Sequence, residues 1–158
     1  MELEKSFLYQ LLDSVRVARL ALINRKNLPE AMPIVFGRHE DTLFSPVDGK
    51  PKRSSNLARI KNIKANSNTM LLIDHYSQNW EELWWLRLVC VSEIVTDPSY
   101  AKCYQNILKK KYEQYQITEL SNEVDESTFI IFNVKSTSSW GFLGKKTLEN
   151  WSAKNSLD

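Results

Sequence analysis

The chain has 158 residues, 42% of them hydrophobic and 25% charged, with only four glycines and five prolines. That composition predicts one globular domain and excludes a disordered or fibrous chain. Its 21 basic and 19 acidic residues leave a net charge of +2, so overall charge does not mark a nucleic-acid binder.

Cys90 and Cys103 stand in no metal-like or redox-like spacing, which excludes a disulfide framework and a CxxC site. Two free thiols fit a reducing compartment. Met1-Glu2-Leu3-Glu4-Lys5 lacks the apolar stretch of a signal peptide, and no apolar run approaches bilayer length. A cytoplasmic protein without a membrane partner is expected.

In chain order, Phe7, Leu8, Leu11 and Leu12 are spaced for a short amphipathic helix over 4–14. Residues 15–23 read as a strand, 24–29 as a polar turn, and 31–37 as the return strand of a hairpin. Pro33 inside that run points to an edge or a bulge, because proline donates nothing to a ladder. A turn at 39–41 and a short strand over 42–45 complete an antiparallel meander. After a loop over 46–53, Ser54 or Ser55 is the N-cap of a helix to about Asn66, with Leu57, Ile60 and Ile63 on one face.

Strands over 69–76 and 83–95 follow, joined by a turn at 77–79. Asp97-Pro98 then starts a helix, a capping side chain followed by proline at the first helical position. Tyr100, Tyr104, Ile107, Leu108, Lys111 and Tyr115 share one of its faces. A polar segment over 116–126 leads to a last strand over 128–135. The expected organisation is a single mainly β (α+β) domain over 1–143 with about three helices. A polar tail over 144–158 is expected to be poorly ordered.

The strongest local anomaly is one of charge. Between Asp48 and Asp74 there is no acidic residue but six basic ones: Lys50, Lys52, Arg53, Arg59, Lys61 and Lys64. Three of them precede a helix N-terminus, where free N–H groups and the helix dipole favour an anion. Pro51 stiffens the loop, which reduces the entropy lost on clamping a phosphate. Arg59, one to two turns into the helix, is within reach of the same anion. The alternatives are a solvated basic face, to which Lys61 and Lys64 are assigned, and a nucleic-acid backbone site. No aromatic residue lies within 45–69, which argues against base stacking from this segment; a nucleic-acid partner is not expected.

The hairpin, the strand ending Leu43-Phe44-Ser45-Pro46-Val47-Asp48, and Lys50-Pro51-Lys52-Arg53 before a helix closing at Asn66 resemble the pyridoxamine 5′-phosphate oxidase-like flavin-binding split barrels. Asp74-His75-Tyr76, Asn79-Trp80 and Leu83-Trp84-Trp85-Leu86-Arg87 look like the branch of probable deazaflavin (coenzyme F-420) dependent enzymes. The resemblance covers roughly residues 7–141.

It implies a six-stranded antiparallel split β-barrel, and a homodimer with FMN or coenzyme F-420 held at the subunit interface. Lys50 and Lys52, with Pro51, Arg53 and Arg59, would grip the phosphate. Pro33, Val35, Phe44, Ser45 and Val47 would lie along the ring system, and Trp140 would close the pocket. The implied function is an oxidoreductase moving hydride to or from a small-molecule substrate. The alternative is a flavin- or haem-binding carrier or sensor on the same barrel. The C-terminal arginine and histidine pattern of the oxidases proper is missing from 136–158, which argues against pyridoxamine phosphate oxidation.

Trp84, Leu86, Leu88 and Cys90 share one face of their strand, the expected core side. Trp85, Arg87, Val89 and Val91 share the other, suited to a dimer interface or a pocket wall. Arg87 either pairs with Asp74 or approaches a cofactor oxygen. His75 is either a hydrogen-bonded structural residue or a proton donor. Neither His39 nor His75 has metal-ligand spacing, and no GxGxxG, Walker or nucleophile-elbow pattern occurs.

Overall fold

In a computed structural model, which describes residues 1–47, 53–117 and 128–156, the chain opens with helix α1 (Lys5–Ser14), whose Leu11 and Leu12 are buried. It turns through a hairpin of β1 (Ala18–Ile23) and β2 (Pro29–Ile34). Asn24 organises the turn: its Oδ1 accepts the N–H groups of Lys26 and Leu28 at 2.9 and 3.0 Å. Asn27 adopts a φ of 62°, the left-handed region that asparagine tolerates. Strands β3 (Gly37–His39) and β4 (Thr42–Pro46) follow, then α2 (Arg53–Ala65) and β5 (Asn68–His75).

A 3₁₀ turn (Trp80–Glu82) leads into β6 (Trp84–Val95). Helix α3 (Pro98–Lys111) starts as its sequence demands, with Asp97 accepting the Ser99 N–H at 2.9 Å and proline in the first turn. After α4 (Gln114–Ile117), β7 (Phe129–Gly141) pairs with β6 and β4, and α5 (Lys145–Asn155) closes the described chain.

All seven strands form one antiparallel sheet in the order β2-β1-β5-β6-β7-β4-β3. Strands β2 and β3 stand at its two ends, yet only Val35 and Phe36 separate them in sequence. That link spans at most about 11 Å, so the sheet must curl until its ends approach. The result is a barrel left open along one seam. Its interior holds Leu20, Leu22, Leu71, Ile73, Trp84, Leu86, Leu88, Cys90, Ile130 and Phe132, with Leu11 and Leu12 of α1 and Leu148 of α5 in the same core. A second core lies outside the barrel wall, where α3 covers Phe44, Phe129 and Ile131 with Tyr104, Leu108 and Tyr112.

Four expectations are corrected. The six strands become seven, because the return strand expected over 31–37 is cut at Val35 and Phe36, where the chain crosses the seam. The last strand runs on to Gly141, since its partner β6 is long enough to pair it throughout. The tail from Gly144 is ordered as α5, with Thr147, Leu148 and Ser152 buried and Trp151 set edge-on to Trp84 at 4.9 Å. With α4, this raises the helices beyond the three expected.

Strand β6 divides as its alternation predicts: Trp84, Leu86, Leu88 and Cys90 are buried and Arg87 and Val89 exposed. Asp74, however, pairs with Arg19 of β1 at 2.5 Å rather than with Arg87. Arg87 instead donates from Nε to Ser138 Oγ at 3.2 Å and lies over the Trp85 ring. Burial pushes the Cys90 thiol up to about 12, which leaves it an inert core residue. Among the described residues no helix is long and apolar enough to cross a membrane, and no cluster of His, Cys, Asp and Glu could hold a metal ion.

Candidate functional site

The open seam of the barrel is also a cleft. Val17 at the entry to β1 and Pro33, Ile34 and Val35 at the end of β2 form one wall, Ser45 and Pro46 of β4 the other, and Arg59 of α2 completes the lining. The cavity measures about 270 Å³. Pro33 is tolerated because β2 is an end strand with no further neighbour to receive an N–H. Ser45 is 2% exposed, and its Oγ donates to the Val35 carbonyl at 2.7 Å, tying the walls together across the seam. A slot lined about equally by polar and apolar surface, with one guanidinium, suits an aromatic ring system that carries a negative charge.

Four residues expected at the site, Pro33, Val35, Ser45 and Arg59, thus converge on one cleft. Others stand elsewhere. Phe44 does not line the cleft: adjacent strand residues face opposite ways, and its ring points outward under α3, fully buried and stacked on Tyr104 at 3.9 Å. Val47 follows β4 and is half-buried against the barrel core. Trp140 is 42% exposed near the far end of β7. Pro46 pairs with Phe129 at the near end, eleven residues away. That separation is on the order of 30 Å along the strand.

Lys50, Pro51 and Lys52 lie outside the described residues, as does the side chain of Arg53 at the start of α2. Lys61 and Lys64 are exposed, as expected for a solvated face.

Sequence reasoning missed the residue that holds the cleft from behind. Phe36 is fully buried and belongs to neither β2 nor β3, so its backbone has no ladder partner there. The Tyr112 hydroxyl at the end of α3 accepts the Phe36 N–H at 3.1 Å. It donates toward the Arg16 and Phe36 carbonyls, at 2.7 and 3.0 Å. Arg16 precedes Val17 and Phe36 follows Val35, so one phenol fixes both ends of the first wall. Burial pushes that phenol up to about 12, which keeps it a donor at any physiological pH. No local signal identifies this role, because the contact spans 76 residues. Tyr112→Phe is expected to cost about 1–3 kcal/mol by leaving buried backbone groups unpaired, read as a lowered urea midpoint.

No known family pattern matches the chain, and no curated protein matches it by sequence. Solved structures do match its fold. A conserved hypothetical protein from Mycobacterium tuberculosis superposes with a TM-score of 0.73 at 14% identity, over 89% of this chain and 86% of that one. A protein from Listeria innocua described as a candidate pyridoxamine 5′-phosphate oxidase matches with a TM-score of 0.61 at 19% identity, over 87% and 98%. An F-420 reductase matches with a TM-score of 0.58 at 18% identity, over 81% and 93%. The chain therefore has the fold of the pyridoxamine 5′-phosphate oxidase-like split barrels, in agreement with the resemblance read from its sequence.

Proposed function

We propose that the seam cleft binds a flavin-type cofactor, FMN or the deazaflavin F-420, and that the protein is a cytoplasmic oxidoreductase acting on a small molecule. The observation that carries this reading is the convergence of Pro33, Val35, Ser45 and Arg59, from three separate stretches of chain, on one slot. Solved proteins of the same fold include an F-420 reductase, which supports it by analogy of fold.

The cofactor would supply the hydride chemistry, and the protein's contribution is to bind and orient it and exclude water. Arg59 provides a positive charge in the lining, and Lys50, Lys52 and Arg53 are assigned to the phosphate. Val35 and Pro33 give an apolar wall whose position is set by Ser45 and Tyr112.

A homodimer forms part of the same reading. The cavity, at about 270 Å³, is slightly below the roughly 300–1,000 Å³ typical of ligand pockets, as expected of a half-site. Leu72, Val89 and Trp140 are exposed on the outer faces of neighbouring strands, where a second copy would cover them. Only from a second copy could Trp140 close the cleft, given its distance along β7.

Titration of the purified chain with FMN and with F-420, with sedimentation of the loaded sample, tests both parts. The wild type is expected to bind one of the two and to sediment as a dimer. Lys50→Ala with Lys52→Ala should weaken that binding by a few kcal/mol, the scale of charge-assisted hydrogen bonds. Unchanged affinity for both cofactors in the double variant would remove the assignment.

A further inference from the structure

A second concavity lies away from the seam, between the 3₁₀ turn at Trp80–Glu82 and helix α5. It is larger than the cleft, about 470 Å³. Its walls are braced rather than loose. Thr147 Oγ1 of α5 accepts the Leu143 N–H at 2.8 Å and donates to the Glu81 carbonyl at 3.2 Å. Glu82 receives Ser77 Oγ at 2.8 Å and Lys154 Nζ at 3.1 Å, and both hydrogen bonds hold its carboxyl below the usual range. Asn79 caps the turn by accepting the Glu81 N–H at 3.3 Å.

The lining is polar and in good part unsatisfied. His75, at the end of β5, is half-buried, and neither its ring nitrogens, the Asn150 amide nor the Glu81 carboxylate makes a hydrogen bond among the described residues. Asn79 and Asn155 each spend one end of their amide on backbone, the Asn155 Nδ2 on the Trp151 carbonyl at 2.8 Å. Both residues line the same space. The imidazole packs on aromatic rings, with Trp151 at 6.1 Å and Trp84 at 6.5 Å, and leaves both nitrogens for something else. A polar cavity with several convergent unpaired donors and acceptors is a place where a ligand can replace water.

The chemistry of the lining selects the ligand. Amides and an imidazole ring bring both donors and acceptors to the lining, which matches hydroxyl groups, each of which donates and accepts. The indole of Trp151 adds an apolar face beside them. Lys154 is the one cation among the lining lysines and arginines and is already paired with Glu82, while Glu81 adds an unpaired negative charge. Phosphate and carboxylate ligands are therefore disfavoured.

We propose that the concavity between the 3₁₀ turn and α5 is a second binding site, built for a neutral, multiply hydroxylated small molecule such as a sugar. His75 and Asn150 are its central hydrogen-bonding residues. The site is independent of the cofactor cleft, so its test does not depend on flavin binding.

The full chain is titrated with D-glucose, and in parallel with methylammonium and with acetate. Tryptophan fluorescence and the imidazole signals of the chain's two histidines are followed by NMR. Saturable binding of glucose that moves the His75 signals and leaves those of His39 in place is expected. Asn150 is exposed, so Asn150→Leu should fold normally and bind glucose at least about tenfold more weakly, as loss of a hydrogen-bonding amide implies. The Lys50, Lys52 double variant should bind it as the wild type does. No saturable response to glucose, a stronger response to methylammonium or acetate, or unchanged binding by Asn150→Leu would each overturn the proposal.

Discussion

Lys111→Met is expected to stabilise the protein below pH 7 and to abolish most of the rise in stability expected of the wild type between pH 7 and pH 10.5. Lys111 ends α3 with its side chain buried, Nζ donating to the Leu12 carbonyl at 3.0 Å and sitting 3.7 Å over the Phe36 ring. Desolvation pulls the ammonium down from 10.5 to about 7, with Arg16 and Arg38 nearby acting in the same direction and Asp13 opposing them. Between those two values the unfolded chain binds the proton and the folded chain does not, so unfolding free energy climbs with pH across that window. Below pH 7 both states are protonated and the full penalty of burying the charge remains.

The lowering corresponds to a ceiling of about 5 kcal/mol. The Leu12 carbonyl, an acceptor at the end of α1, and the Phe36 ring both favour the charged form and bring the net effect below that ceiling. Methionine keeps the stem and removes the charge, an exchange that is often neutral or stabilising at buried sites. Urea unfolding of both proteins across the pH range is the measurement. Parallel curves for wild type and variant would show that Lys111 keeps an ordinary proton affinity in the folded state.

The reach of the sequence is best judged at such residues. Period-2 alternation located the buried face of β6 from Trp84 to Cys90, because a strand covered on one side has little freedom in which residues it turns inward. The Asp97-Pro98 pair located the start of α3, because capping is a local interaction. Lys111 fell on the predicted apolar face of that helix, but nothing nearby in sequence says that its ammonium follows its stem into the core. The break at Val35 and Phe36 was hidden for the same reason, since the hydroxyl that satisfies Phe36 belongs to Tyr112. Pro33, Val35 and Ser45, which the family resemblance implied for the ring system, do line the cleft. It was misjudged at Phe44, where the outward face of β4 turned out to be covered by a second core rather than open. Arg87 lost Asp74 to Arg19 because β5 is flanked by strands on both sides, and sequence order does not say which neighbour's cation is nearer.

Helix α5 is where composition misled most, and Leu148→Ala measures by how much. A polar tail would register the change weakly, whereas Leu148 is fully buried in the barrel core, so a loss of about 3 kcal/mol is expected, within the 2–5 kcal/mol typical of leucine truncation. The contact beneath it is close: a Cβ placed on Gly141 would come within 2.7 Å of Leu148 Cδ1 and 2.5 Å of the Gly144 carbonyl. The leucine therefore fills a pocket made to its shape at the end of β7. Only Leu148 and Trp151 are large and apolar on that side of the helix, and Thr147 and Ser152 complete the buried stripe, which is why hydropathy alone reads the segment as solvent-facing. Asn155→Ala on the exposed end is the control and should change stability by no more than about 0.5 kcal/mol. Equal urea midpoints for Leu148→Ala and the wild type would detach α5 from the barrel. The wall of the second cavity would go with it, because Thr147, Asn150 and Trp151 stand on the same helix as this packed leucine.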